Sequence, residues 1–294
     1  MPIKALSSNL PNSIPISSTH HFIPQALKAS IDLDELFPKA EKIVRRVGKK
    51  IRKIHKSSES IKIDQKQFHD YVTEVDRQSE QELIRELGLL LPESGFLAEE
   101  SATKHSRKGF YWVIDPLDGT TNFIHRLPVY AVSVALCYNE DYVMSFVFEC
   151  HSKEMFTAYK GVAMLNGEKI RVSSVRTFDP ALLATGFPFR EFDMLDPYVQ
   201  VLKQLMQKTS GLRRMGSAAV DLAYVACGRF DAYFEYNLNP WDVAAGLHIV
   251  RCAGGIVSDF HGSEEWSDGS QILASNPYLY KDLLMGLHEA FETK

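Results

Sequence analysis

The sequence has no apolar run of the roughly 18 residues that a membrane-spanning helix requires, so no helix is expected to cross a bilayer. It has no Cys-x-x-Cys pair. Cys137, Cys150, Cys227 and Cys252 are scattered through apolar stretches, which argues against a disulfide framework or a thiolate metal site and for four small buried hydrophobes in a reducing compartment. Excess positive charge is missing too: a net charge of −4 gives no global attraction to nucleic acid. Residues 1–31 contain no acid and no continuous apolar segment, only repeated Pro and Ser with two Lys. No secretory signal is therefore expected, and a cytoplasmic location is. A transit peptide would share the lack of acids but would carry Arg, and none precedes Arg45, so a disordered extension is the better reading. Residues 36–294 contain no Pro/Gly/Ser linker and no 20–50-residue repeat. Residues 32–294 should form one cooperative unit of two halves that meet near 175.

What is present is a globular composition, 45% apolar and 24% charged over 294 residues. Ile43, Val44, Val47, Ile51 and Ile54 recur at helical spacing between Leu36 and Lys56. The remaining face carries Lys42, Arg45, Arg46, Lys49, Lys50, Arg52, Lys53 and Lys56 without one acid. This basic first helix is either a solvated face or a docking surface for RNA, transcription machinery or another anionic partner. A second helix is predicted from about Asp76 through Leu90. Further helices fall at Pro197–Lys208, Ser217–Cys227, Trp241–Cys252 and Leu279–Phe291. Strand-like runs occupy Gly95–Ala98, Tyr111–Ile114, Val129–Tyr138, Tyr142–Glu149 and Met155–Tyr159, then Ala181–Thr185, Ala232–Glu235 and Gly255–Ser258. The almost unbroken apolar run Val129–Cys137 should be a strand covered on both faces. Such recurrence of helices and strands implies a layered α/β or α+β sandwich.

The acids are more informative still. Asp115 and Asp118 stand in Asp115-Pro116-Leu117-Asp118-Gly119-Thr120-Thr121-Asn122, directly after an apolar strand; Glu99 follows another, and Glu235 closes a third. Asp242 stands in Asn239-Pro240-Trp241-Asp242. Read as a Pro- and Gly-shaped loop, the first motif offers two carboxylates, a carbonyl, a hydroxyl and a helix start whose amides suit a phosphate. Carboxylates gathered in this way repel one another unless a hard cation sits between them. With Thr120 beside them and no His or Cys at ligand spacing, the residue types point to metal-assisted phosphate ester hydrolysis. Taken alone, Asp242 also reads as a first-turn acid in a helix capped by Asn239, and Asp76 as a capping-box acid after Thr73.

From about residue 36 onward the chain resembles the inositol monophosphatase family. The resemblance rests on Trp112-Val113-Ile114-Asp115-Pro116-Leu117-Asp118-Gly119-Thr120-Thr121-Asn122-Phe123 and on Asn239-Pro240-Trp241-Asp242-Val243-Ala244-Ala245-Gly246, supported by Asp70–Asp76, Ala98–Ser101, Ala184–Phe189 and Arg213–Ala219. It implies an α-β-α-β-α sandwich of the sugar phosphatase type and a magnesium-dependent, lithium-sensitive hydrolase of inositol 1-phosphate and related polyol phosphates, acting as a homodimer. Fructose-1,6-bisphosphate and nucleotide phosphates are substrates of other members of the superfamily. Carried over to this chain, one Mg²⁺ would be held by Glu99, Asp115 and the Leu117 carbonyl, a second by Asp115, Asp118 and Asp242, and a weaker third by Glu99 and Asp76. Thr120 and Glu99 would help the first metal activate the attacking water, with no phosphoenzyme. Gly119 and Thr120 would hold the phosphate, and Asp118, Gly216, Ser217, Ala218, Glu235 and Asp242 would contact the polyol. The bacterial branch it resembles makes a second, regulatory role conceivable. Three positions depart from the family pattern: Ala98 replaces the usual Gly before the acids, Ser217 replaces a common Thr, and the mobile-loop Lys falls at Lys66, with Lys62 as competitor.

Overall fold

The computed structural model describes residues 31–57, 63–67, 70–101, 108–188, 192–264 and 270–292. The side chains of residues 65–67, 70 and 71 lie outside this description, as do residues 1–30. Leu33–Lys294 forms a compact unit.

Between helices α1 (Leu33–Lys56) and α2 (Glu74–Leu90) the chain forms the hairpin β1 (Ile63–Gln67) and β2 (Asp70–Thr73), and the two helices are a pair. They pack together on one face of a seven-stranded sheet. That sheet runs in sequence order through β3 (Gly95–Ala98), β4 (Phe110–Asp118), β5 (Ala131–Tyr138), β6 (Asp141–Glu149), β7 (Glu154–Tyr159), β8 (Val162–Leu165) and β9 (Glu168–Lys169), with only β3–β4 parallel. Leu36, Ile43, Val44, Val47 and Ile51 of α1 are buried as the periodicity predicts. The helix comes so close that a Cβ on Gly48 would lie 2.1 Å from Phe148.

The opposite face of this sheet carries α5 (Ala218–Ala226) and α6 (Pro240–Cys252), which also cover a second sheet. Its five strands are β10 (Leu182–Thr185), β11 (Gly211–Arg213), β12 (Ala232–Tyr236), β13 (Ile256–Ser258) and β14 (Gln271–Ser275), in the order β11-β10-β12-β14-β13. Helices α4 (Leu195–Lys208) and α7 (Tyr280–Glu292) form the outer layer, and the one-turn helix α3 (Thr120–Ile124) follows β4. The result is an α-β-α-β-α sandwich. Its main core lies between the sheets, where the small side chains Ala219, Ala223, Ala226, Ala244 and Ala245 let α5 and α6 pack closely. Strand β5 is buried along its length except at Tyr138, because α1 covers one face and α6 the other.

The sequence reading missed β1, β2, β8, β9, β11 and β14, which are short or lack an apolar run of their own. The cysteine reading needs a correction: all four are free, but Cys227 and Cys252 are only partly buried. Among the described residues, no helix is long and apolar enough to cross a membrane.

Candidate active site

Strand β4 does not stop at Ile114. It continues to Asp118, so the predicted loop is the end of a strand. Asp115 pairs with Ser133 and Asp118 with Ala131, three steps on β4 against two on β5. A regular strand would send residues three apart to opposite faces; the extra residue of this bulge turns both acids toward one cleft. Pro116, having no N–H, loses nothing from the interrupted ladder. Beside it, Ala98 of β3 sits opposite Ile114 in parallel register, so Glu99 leaves its strand next to Asp115.

Gly119 then reverses the chain at φ +87°, where a Cβ would lie 2.9 Å from Val129 O and 3.2 Å from Gly216 O. Only glycine fits that approach. The close packing brings the start of α3 against the Gly216 loop, and Asn122 Nδ2 locks it by donating to Val129 O and Met215 O, each at 2.8 Å.

A cleft of about 1000 Å³, measured with its open mouth, results. Glu99, Asp115, Leu117, Asp118, Gly119, Thr120, Gly216, Ser217, Ala218, Glu235 and Asp242 all line it. One described site residue does not: Asp76 is fully buried behind the cleft. The expectation for Lys66, on β1, falls outside the described side chains, and Lys62 lies outside the described residues altogether.

Three of the acids are aimed by neighbours. The Ser217 hydroxyl and the Ala219 N–H donate to Asp118 Oδ2 at 2.6 and 2.7 Å, so Ser217 holds a carboxylate rather than simply facing the cleft. Asn239 N–H donates to Asp242 Oδ2 at 2.7 Å in the capping box of α6. The Thr73 amide donates to Asp76 Oδ2 at 2.9 Å, closing the capping box of α2. Thr120 Oγ1 lies 3.0 Å from the other Asp76 oxygen and 2.9 Å from Leu117 O. Sequence spacing gave no sign of the Thr120–Asp76 contact, which joins positions 44 residues apart.

Burial, and then the charges of Glu99, Asp118 and Asp242, push the Asp115 carboxyl well above its usual range. Burial raises Asp118 to about 6 despite the bonds from Ser217 and Ala219, and raises Asp76 to about 6 against those from Thr73 and Thr120. Asp115 and Asp118 oppose one another's ionisation, while the acid that adds to the rise of Asp76 is Glu100. Among the described residues, no three of the cleft acids bring ligand oxygens within 4.8 Å of one another. Every donor is a carboxylate, carbonyl or hydroxyl oxygen, the set that suits a hard divalent ion such as Mg²⁺.

Three contributors were not named as site residues from the sequence. Arg214 lines the cleft, its guanidinium 6.0 Å from the Phe187 ring centre. Gly186 is the seat of Glu235: a Cβ there would lie 1.8 Å from the carboxylate. Tyr233 fixes the same group from the other side by donating its hydroxyl to Glu235 Oε2. Only the loss of a side chain at position 186 could have signalled this.

Residues 32–293 match the inositol monophosphatase family over almost the whole described chain. The protein belongs to that family. Among its relatives is the "Nus factor SuhB" of Pseudomonas aeruginosa, 46% identical over 230 residues that cover 76% of this chain and 85% of the relative. The solved extragenic suppressor protein suhB of Bartonella henselae superimposes with a TM-score of 0.80 at 35% identity, over 87% of this chain and 98% of that one. The Thermotoga maritima IMPase gives 0.78 at 32% identity, over 88% and 98%. Family membership makes this chain a phosphatase-family protein, with the cleft just described at the place where its acids converge.

Proposed function

We propose that this chain is a Mg²⁺-dependent phosphomonoesterase that hydrolyses inositol 1-phosphate and related small polyol phosphates, residues 32–294 being its catalytic unit. The observation that carries this reading is the meeting of Glu99 after β3, Asp115 and Asp118 on β4, and Asp242 on α6 around the Gly119–Thr120 turn. Two or three Mg²⁺ held by Glu99, Asp115, the Leu117 carbonyl, Asp118, Asp242 and Asp76 would supply charge neutralisation and a polarised water. The chain's own residues do the rest. Gly119 and Thr120 amides face the phosphate at the turn; α3 is a single turn, so its dipole contributes little. Thr120 Oγ1, which donates to Asp76 Oδ1 at 3.0 Å, would receive the proton of the attacking water as it passes its own to Asp76. Water oxygen joins phosphorus, the ester P–O bond breaks, and the leaving oxygen takes a proton from solvent in the open cleft as the proton held on Asp76 returns to solvent. Glu235, Asp118 and Asp242 accept hydrogen bonds from polyol hydroxyls, and Ser217 holds Asp118 for that role.

The test is phosphate release from a panel of inositol, fructose and nucleotide phosphates with Mg²⁺ or EDTA. Release that survives EDTA overturns the metal reading, and preference for fructose-1,6-bisphosphate or a nucleotide assigns the alternative superfamily substrates. The homodimer and lithium sensitivity implied by the family are checked by light scattering and by inhibition with LiCl.

A second reading rests on the basic helix. Arg45, Arg46 and Lys50 pair with Glu41, Glu82 and Glu86, and Arg52 donates to His151 O. Lys42, Lys49, Lys53 and Lys56 are exposed and make no ion pair among the described residues. At helical spacing they fall within about 60° of arc over about 21 Å. Relatives carrying the name Nus factor fit an added contact with the transcription machinery, and the lysine row favours RNA as the surface's ligand. Wild-type binding of single-stranded RNA should weaken with salt with a log–log slope of which these four lysines supply about 3, and replacing all four with Glu should abolish that binding. Equal binding by wild type and variant overturns it.

A further inference from the structure

The geometry points to a second metal site, unrelated to the acidic cleft, that binds a first-row divalent ion such as Zn²⁺ between His261 and His288. His261 follows β13; His288 and Glu292 lie in the last turns of α7. Sequence spacing hid the group, because 27 residues separate the histidines. In the fold, His261, His288 and Glu292 each offer a ligand atom within 4.8 Å of the others.

Three distances carry the inference. The two Nδ1 atoms are 3.3 Å apart with the rings nearly perpendicular, at 82°. Two imidazole nitrogens bound at 2.0–2.1 Å to one tetrahedral Zn²⁺ stand about 3.3 Å apart. On the far side of the ring, His288 Nε2 lies 3.0 Å from Glu292 Oε1. In the tautomer that donates Nε2–H to this carboxylate, Nδ1 of His288 presents a lone pair to His261, the carboxylate–histidine–metal arrangement that orients a ligand and raises its basicity. Glu292 also supplies negative charge beside the ion.

The loop side is equally held. Asp259 Oδ1 accepts the His261 and Ser263 N–H groups at 2.8 Å each, and Gly262 takes the positive φ the turn needs. His288 and Glu292 keep 39% and 58% of their side-chain surface, leaving an entry path for the ion and room for water to complete its shell. Nitrogen donors of this kind prefer Zn²⁺, Ni²⁺ or Cu²⁺ to Mg²⁺, the opposite of the oxygen-only cleft. A bound ion would tie the β13 loop to the C-terminal helix.

The experiment is calorimetric titration of the full chain with Zn²⁺ in excess Mg²⁺, which keeps the cleft acids occupied, followed by the Co²⁺ visible spectrum as a report on nitrogen ligation. One equivalent of Zn²⁺ should bind to wild type. His261→Ala and His288→Ala should remove it, Glu292→Gln should weaken it about 10-fold or more, and all three should leave Mg²⁺-dependent phosphate release unchanged. Zn²⁺ binding that persists in both histidine variants, or no binding to wild type, overturns the proposal. The latter result would identify the 3.3 Å contact as a plain imidazole–imidazole hydrogen bond.

Discussion

Asp115 shows how a single buried carboxylate can serve a site at the expense of the fold. With burial and three neighbouring acids all raising it, Asp115→Asn should stabilise the metal-free protein by about 1–2 kcal/mol in urea unfolding while lowering phosphate release roughly 10³-fold. A loss of both stability and activity would mean that the acids are not in conflict. Gly186 is a quieter case. A methyl group 1.8 Å from the Glu235 carboxylate must displace it, so Gly186→Ala should raise KM for a polyol phosphate more than it lowers kcat in steady-state assays, since Glu235 meets the polyol rather than phosphorus. Ser217 also changes meaning between sequence and structure: its hydroxyl is engaged with Asp118 at 2.6 Å. Ser217→Ala would therefore act through the orientation of that acid.

Among the elements, the bulge of β4 and the caps of α2 and α6 do the positioning. Thr73 caps α2 and holds Asp76 in the same contact, so Thr73→Ala should cost about 1 kcal/mol of stability and also lower kcat, because the acid that faces Thr120 is released. A variant that loses stability but keeps kcat would separate the cap from the chemistry. The apolar period made α1 readable, and the Asn-Pro-x-Asp signature made the start of α6 readable, since both are local patterns. Whether Asp115 and Asp118 share a face was not readable. Strand alternation separates residues three apart, and only pairing with β5 shows that one residue is extra. The Asp115-to-Asn122 segment reads as a loop because it holds a Pro and a Gly, yet both of its acids sit on a strand.

For the whole molecule, the middle layer couples the two sheets, and His248 of α6 lies within it. Its Nδ1 is 2.8 Å from Ser145 Oγ of β6, and its ring stacks on Tyr142. Burial, followed by the charge of Arg251, lowers it from 6.5 to about 4. The unfolded chain therefore takes up this proton first, so the contribution is fully present above pH 6.5 and declines as pH falls toward 4. The complete shift corresponds to roughly 3 kcal/mol. Urea midpoints of His248→Asn and wild type should converge as pH drops across that window, and a constant difference would contradict the assignment. The sequence by itself determined the layers, the first helix and the list of acids, because periodicity, caps and motif residues are properties of neighbouring positions. Only the tertiary structure decided that Thr120 meets Asp76, that Glu235 rests on Gly186, that Arg214 faces the cleft and that His261 meets His288. Each of these joins positions 27 or more residues apart, and the distance between such positions is set by sheet register and helix packing rather than by any pattern along the chain.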